Sequence, residues 1–491
     1  MQRGQREVTM EFKYILDHEG KPHRRFFEEI CTFPHESFKE KPLSDYIVAF
    51  AKERGLWVYQ DEIWNVIVKK PASPGYEDHP PVMIQGHIDM VCEKTADSVH
   101  NFDTDPLELY VENGWLKAKD TTLGADCGHG IAYMLAVLDD KTLAHPPLEC
   151  YFSVQEEAGI GGPRHVDYSL FTAKRLISTD CMWEGATVIS TTYVVGGDFY
   201  KRISFEENSL PTYAIKVEGL WGGHAAVNAG RDQANAIKVA ARVLAAIDQE
   251  LRIHLVHIKG GIIRNNIPIE CTALFACEEG NLDRIQEITA TIMEAERLEH
   301  AISDPELVIS AAEMEPAVAR MDSISSQTVI DLLRVIPTST HMRSLEVENL
   351  VLTSRNMGYV RIEGDQLMFG YLFRSALKTQ IQDLMDQTRI LAGQFGATFV
   401  EHHQYAGYTS PKDNYMNRVW AEVYREATGK ELIYQSIHAG TDVGTIVEGM
   451  GGMDVTVIGP HTLKFHKPGE ALELTSFDRT YEYLKTILAR L

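Results

Sequence analysis

The sequence predicts an α/β fold: a split domain with a mostly parallel sheet flanked by helices, plus an inserted α+β domain. Three observations carry this. The first ~200 residues alternate strand-like and helix-like patterns, the texture of a layered α/β domain. From about residue 208 strand candidates become adjacent, with two amphipathic helices beside them, the texture of helices on one face of an antiparallel sheet. From about residue 408 the first texture returns. The expected spans are 1–207, 208–405 and 406–491, the outer two forming one domain.

In the first span, "PLSDYIVAFAKERG" is an amphipathic helix closed by Gly55, and "WNVIVKK" and "PVMIQGH" are short β-rich runs. "GHGIAYMLAVLDD" has apolar residues at 131, 134, 135 and 138, which is helical spacing. "PLECYFSV" and "AKRLIST" are further strands. In the middle span "TYAIKVEGL", "HLVHIKG", "IPIECTALFAC", "GYVRIEGD" and "QLMFGYLFRS" read as strands, and "DQANAIKVAARVLAAIDQEL" and "LKTQIQDLMDQTRILAGQF" as helices. The last span has a helix from Asn414 to Thr428, a Gly-rich loop, the strand "MDVTVIG" and a final helix.

Bulk properties exclude several classes. A chain of 491 residues is too long for one simple core. The formal charge of −23 makes the electrostatic term with nucleic acid or an anionic membrane repulsive. The opening "MQRGQREVTMEFKYILDHEG" has no apolar h-region, and no stretch approaches membrane-spanning length. The cysteines at 31, 92, 127, 150, 181, 271 and 277 are scattered, odd in number and without CxxC pairs, so reduced thiols in a cytoplasm are expected.

The ionisable residues that follow the strands of the split domain form a pattern. His87 and Asp89 follow "PVMIQG", Glu156 and Glu157 follow "PLECYFSVQ", and Asp180 follows "AKRLIST". His461 and His466 follow "MDVTVIGP", and Asp126 precedes a helix in "TTLGADCGHG". Taken singly, each has an ordinary structural reading: a hydrogen-bonded histidine, a solvated acidic pair, a helix cap, a turn residue. Together they fall at one rim of an open α/β sheet, outside the carboxyl ends of its strands, where ligands bind. Two histidines with three or four carboxylates suit a pair of divalent metals. Two cations roughly 3.5–4 Å apart need an anionic bridge. Asp126 in its Gly-rich setting is the choice for it. One of Glu156 and Glu157 can bind metal while the other stays free as a base. Asp89, too close to His87 to be an independent ligand, can accept a hydrogen bond from its ring and fix the tautomer.

The motifs "GHIDMV", "TTLGADCGHG", "EEAG", "STD", "GGHAA", "RNNIP", "FRS", "HAGTD" and "IGPH…FHKPGE" occur in order over nearly the whole chain. Together they resemble the di-zinc metallopeptidases of the aminoacylase and carboxypeptidase clan, and within it the aminoacyl-histidine dipeptidase family. The resemblance implies two divalent metals, zinc with manganese or cobalt as alternatives. His87, Asp126 and Asp180 would hold one, and Asp126, Glu157 and His466 the other. Glu156 would be the general base and Asp89 would orient His87. In the inserted, or lid, domain His224 would stabilise the oxyanion, in some relatives across a dimer. Asn265 and Arg374 would bind substrate, Arg374 by its free carboxylate, while His438 and Gly440 would line the pocket. A dipeptide substrate and a homodimer are also implied.

Three departures stand out. Cys127 occupies a position where the family often has Asn, Ala225 follows the lid histidine where Ser is usual, and His461 is an extra histidine in the last loop. His466 is preferred as ligand because "HKPGE" matches the family's H-x-P-x-E. The reading is hydrolysis of a dipeptide by a metal-activated water. The alternatives are an N-acyl amino acid deacylase or another exopeptidase of the clan, and a non-catalytic metal- or peptide-binding relative with Cys127 as the lesion.

Overall fold

The computed structural model describes residues 14–345 and 350–491, so residues 1–13 of the amino-terminal stretch discussed above lie outside the described residues. The chain divides into two compact units. The first comprises Met1–Ile189, Thr409–Gln435 and Thr441–Leu491, and the second Ser190–Tyr408 and Ser436–Gly440. The α/β class with an inserted α+β domain is observed.

The first unit is built on a six-stranded sheet in the order Trp57–Gln60, Val66–Lys70, Leu148–Ser153, Val82–His87, Arg175–Ser178, Asp454–Val457. The last four of these run parallel, and the first two join antiparallel at one edge. Val82–His87 and Leu148–Ser153 are buried along their whole length, as strands covered on both faces must be. Because the four parallel strands share a direction, their carboxyl ends open onto the same rim. The helix Ala125–Asp139 is buried almost all round, which is why its apolar residues do not form a narrow stripe. The helix Tyr415–Thr428 begins where the Asn414 side chain accepts the Asn417 N–H, and ends at Gly429, whose φ of 72° suits glycine.

Sequence-distant pieces of this unit are tied by charge as well as by packing. Asp478, on the helix Leu474–Leu488, accepts two hydrogen bonds of 2.7 Å from Arg24 and lies 3.0 Å from His23 Nε2. Arg24 and His23 belong to the helix Pro22–Ile30. Burial opposes ionisation of Asp478, but these partners outweigh it and hold its carboxyl well below the usual range.

The second unit carries a nine-stranded sheet. The helices Ala236–Leu251, Leu282–Glu299, Ser323–Val335 and Lys378–Gln394 bury their apolar faces in one cluster with it. The strand Tyr193–Arg202 pairs antiparallel with Gln366–Ser375 and with Thr398–Tyr405. The chain therefore enters this unit at Ser190, before the boundary at 207/208 that local texture suggests, because the partners of that strand lie far along the sequence. Leu282–Glu299 buries only Ile285, Ile288, Thr289 and Glu296, so its apolar periodicity is faint and it is absent from the helices read in sequence.

Gly130 shows how tightly the helix Ala125–Asp139 meets the sheet. A Cβ there would stand 2.0 Å from Thr179 Oγ1 and 2.8 Å from Cys127 Sγ. Gly130→Ala is expected to destabilise the protein by roughly 1–3 kcal/mol through overpacking. A shift of the urea midpoint to lower concentration at unchanged slope checks it. An unchanged midpoint would mean that the helix can retreat freely.

Candidate functional site

The rim of the first unit collects the residues singled out in sequence. His87 is the last residue of its strand and is 1 % exposed. Its Nε2 is 3.1 Å from Asp126 Oδ1. Asp126 Oδ2 is 3.1 Å from His466 Nε2, which lies 2.7 Å from Glu157 Oε1. One carboxylate thus offers each of its oxygens to a different histidine. The ligand atoms of Asp126, Glu157 and His466 lie within 4.8 Å of one another, and so do those of His87, Cys127 and Asp180, and those of His87, Glu156 and Glu157. His461 stands apart, grouped instead with Glu184 and Glu473.

The tautomer of His87 follows from its surroundings. Its Nδ1 is 3.0 Å from the backbone carbonyl of Asp89 and 3.5 Å from that residue's carboxylate. The nearer partner is therefore the main chain, where sequence pattern pointed to the side chain. A ring donating from Nδ1 to a carbonyl presents a lone pair at Nε2. A lone pair facing a carboxylate oxygen at 3.1 Å needs a cation or a proton between them. The same holds at His466, whose single Nε2 faces both Asp126 Oδ2 at 3.1 Å and Glu157 Oε1 at 2.7 Å and has one proton at most for the two. Two imidazoles with the carboxylates of Asp126, Glu157 and Asp180 gathered beside them fit a pair of divalent metals.

The Asp89 carboxylate has other work. It accepts the N–H groups of Glu156 at 3.0 Å and Glu157 at 3.1 Å, and the Ser37 hydroxyl at 2.8 Å. It thereby fixes the turn that presents both glutamates. Glu40, fully buried, accepts the preceding N–H, that of Gln155, at 3.0 Å.

Burial, and then the neighbouring Glu157, push Glu156 well above the ordinary carboxylate range. Burial and Asp126 push Asp180 up to about 8. Burial disfavours charge on His466 too, but hydrogen bonds to Asp126 and Glu157 outweigh it and push the ring up to about 10. Against burial, His466 and His87 hold Asp126 well below the usual range. This is an acid-rich cluster of a kind that divalent cations can balance.

Two residues here had no role in the sequence reading. Glu470, in "HKPGE" and 1 % exposed, accepts the N–H groups of Leu123, Gly124, Ala125 and Asp126 at 2.8, 3.0, 2.9 and 3.3 Å. It is a carboxylate cap on the start of the helix that carries Asp126, supplied from 344 residues away. Asp442, in "HAGTD", accepts from Ser153 Oγ at 2.5 Å and Gln85 Nε2 at 3.0 Å, and burial pushes it up to about 7. Their motifs are visible in sequence; the backbone N–H groups and hydroxyls that hold them are not. Cys127, the departure beside Asp126, is fully buried 3.6 Å from Thr179 Oγ1, and burial pushes its thiol up, so it stays protonated.

The second unit holds the remaining candidates. Arg374, on Gln366–Ser375, is 5 % exposed, and its Nη1 is 3.5 Å from the Tyr405 hydroxyl. Its buried Nε has no hydrogen-bond partner, and among the described residues no carboxylate pairs with it. A buried guanidinium without an anion is costly, so it is poised to take one. His438 Nε2 is 2.7 Å from Ser354 Oγ; burial and Arg374 push the ring down to about 3 and keep it neutral. Gly440 allows close approach, since a Cβ there would lie 2.0 Å from the Tyr405 ring. His224 pairs in a two-residue strand with Asn266, and the Asn265 carbonyl accepts the Ala225 N–H at 2.7 Å, so His224 and Asn265 are held side by side.

Comparison with known proteins finds relatives that cover nearly the whole chain. A profile of peptidase family M20/M25/M40 matches residues 83–490. Cytosol non-specific dipeptidase of Escherichia coli (strain K12) is 32 % identical over 470 residues, covering 94 % of this chain and 96 % of that one. The crystal structure of aminoacylhistidine dipeptidase from Vibrio alginolyticus matches with a TM-score of 0.86 at 30 % identity, over 96 % of each chain. An aminopeptidase from Bacillus cereus shares the fold at 15 % identity and a TM-score of 0.54, over 96 % of this chain and 98 % of that one.

Glu470→Gln keeps the size of the side chain but leaves an amide facing backbone donors. It is expected to lower divalent-metal affinity about 10–100-fold, the usual effect of losing a group that orients a ligand. Isothermal titration with zinc measures it. Unchanged affinity would mean that Asp126 needs no such support.

Proposed function

The chain belongs to peptidase family M20/M25/M40, and from that premise we propose that it hydrolyses dipeptides with two divalent metals. The observation that carries the reading is Asp126, with one oxygen 3.1 Å from His87 and the other 3.1 Å from His466. In this reading Asp126 bridges, His87 and Asp180 complete one metal site, and Glu157 and His466 complete the other. When bound, the metals polarise the scissile carbonyl and acidify the attacking water.

The chain's own groups do the rest. Glu156 has no metal to hold in this scheme, and its raised proton affinity suits a base that takes the water proton and passes it to the leaving amine. Asp89 holds Glu156 in place through the backbone. Arg374 takes the free carboxylate of the substrate in a planar two-bond contact. His224 donates to the developing oxyanion, Asn265 binds substrate, and His438 and Gly440 wall the pocket. Zinc as the metal, a homodimer and a cytoplasmic location complete the proposal. The unpaired state of all seven cysteines supports the last. Metal analysis and native mass of the purified protein check the first two.

Chelation is expected to abolish turnover of a dipeptide, and added zinc, manganese or cobalt to restore it. Full activity with no detectable metal would contradict the proposal. Glu156→Gln should retain both metals and lose roughly 10²–10⁴ in kcat, whereas Glu157→Gln should lose metal. Metal content measured on the two variants separates the roles, and the reverse pattern would exchange them.

Arg374 makes a prediction about substrate. A dipeptide amide should be far poorer than the free acid, and Arg374→Lys should not restore the preference, because lysine lacks the planar fork. The loss in kcat/KM should be on the order of 2–5 kcal/mol. An acid-to-amide ratio of kcat/KM that is the same in wild type and Arg374→Ala would leave Arg374 without this role.

A further inference from the structure

His129 lies three residues beyond Asp126 and is completely buried. Its Nδ1 is 2.5 Å from the carbonyl oxygen of Ala125, and its Nε2 is 2.7 Å from the carbonyl oxygen of Thr179. Neither acceptor has a proton to give, so each contact needs an N–H from the ring, and a neutral imidazole has only one. Burial pulls the ring toward neutrality and outweighs the two carbonyl contacts that oppose it, so the doubly donating ring rests on the contact geometry. A neutral ring would leave a nitrogen lone pair against a carbonyl oxygen at one end. The geometry is that of a ring that donates from both nitrogens.

The two acceptors are not arbitrary. Ala125 immediately precedes Asp126, and Thr179 immediately precedes Asp180. The backbone at Asp126 and Cys127 is non-helical, and the His129 side chain adds to the Gly128 N–H bond to the Gly124 carbonyl and to the Glu470 contacts that hold this turn. Thr179 is itself pinned to the neighbouring strand: its N–H and its hydroxyl both donate to the Gln85 carbonyl, at 2.8 and 2.9 Å. The imidazole is therefore a strut between a fixed strand end and an irregular helix start.

We infer that His129 is a positioning residue for the metal site: by bonding to Ala125 and Thr179 it sets the separation of the Asp126 and Asp180 carboxylates. This rests on the reading in which Asp126 and Asp180 share one metal with His87. Of the two metals, the one held by both Asp126 and Asp180 depends chiefly on the strut, and the one held by Glu157 and His466 shares only Asp126 with it.

Two measurements test it. The first is nitrogen-15 NMR of histidine side chains in zinc-loaded wild-type protein. His129, assigned by its absence from the His129→Gln spectrum or by selective labelling, should show protons on both ring nitrogens, protected from exchange. A single protonated nitrogen overturns the inference without need of a variant.

The second is zinc titration against a chromophoric chelator for wild type, His129→Leu, Asp180→Asn, Glu157→Gln and the two double variants that contain His129→Leu. Loss of the strut should weaken one of two zinc ions about 10–100-fold. It should add little to Asp180→Asn and nearly fully to Glu157→Gln, a pattern that general destabilisation would not produce. Two zinc ions bound equally well with and without His129 overturn this inference alone. Wild-type protein that binds no zinc overturns the metal reading, and this with it.

Discussion

A single carboxylate facing two imidazoles is the constraint around which the first unit is arranged. Asp126 has an oxygen 3.1 Å from His87 and another 3.1 Å from His466, residues 39 and 340 positions away in sequence. Neither histidine would reach it without the parallel sheet, which brings four strand ends to one rim. The carboxylate cannot wander, because Glu470 gathers the N–H groups that lead into it. Asp89 does the equivalent for Glu156 and Glu157. Buried acids thus fall into two kinds here: some are held by backbone donors, while others lie against the imidazoles of His87 and His466.

This division of labour follows from solvation. A carboxylate taken out of water must recover its hydrogen bonds or find a counter-charge. Glu470 recovers four. Glu157 Oε1 has only the His466 Nε2 that it shares with Asp126. Arg374 presents the complementary case in the second unit, a buried cation awaiting an anion. Sites with such unmet needs are where ligands gain most, because the cost of desolvating the protein group is already met in the folded state.

Much of this was legible in the sequence because the chemistry sits at predictable places. Strand alternation placed His87, Glu156, Glu157 and Asp180 at strand ends, and a parallel sheet made those ends neighbours. The choice of His466 over His461 followed from a motif, and in the structure His466 is the one beside Asp126. What local pattern could not contain was contact across long stretches of chain. The strand Tyr193–Arg202 reads as a continuation of the first texture until its partners at 366–375 and 398–405 are known. Glu470 reads as the end of a motif until the N–H groups of residues 123–126 are placed against it. His87 is close to Asp89 in the sequence and in the fold, but the strand's exit from the sheet makes the backbone carbonyl, not the carboxylate, the nearer acceptor.

The most direct test of the central claim is an anomalous-scattering map from crystals of the zinc-loaded protein. The account predicts two peaks roughly 3.5–4 Å apart, one on each side of the Asp126 carboxylate, the first beside His87 and Asp180 and the second beside Glu157 and His466. A single peak, or peaks that leave Asp126 uncoordinated and lie instead among Glu184, His461 and Glu473, would contradict it.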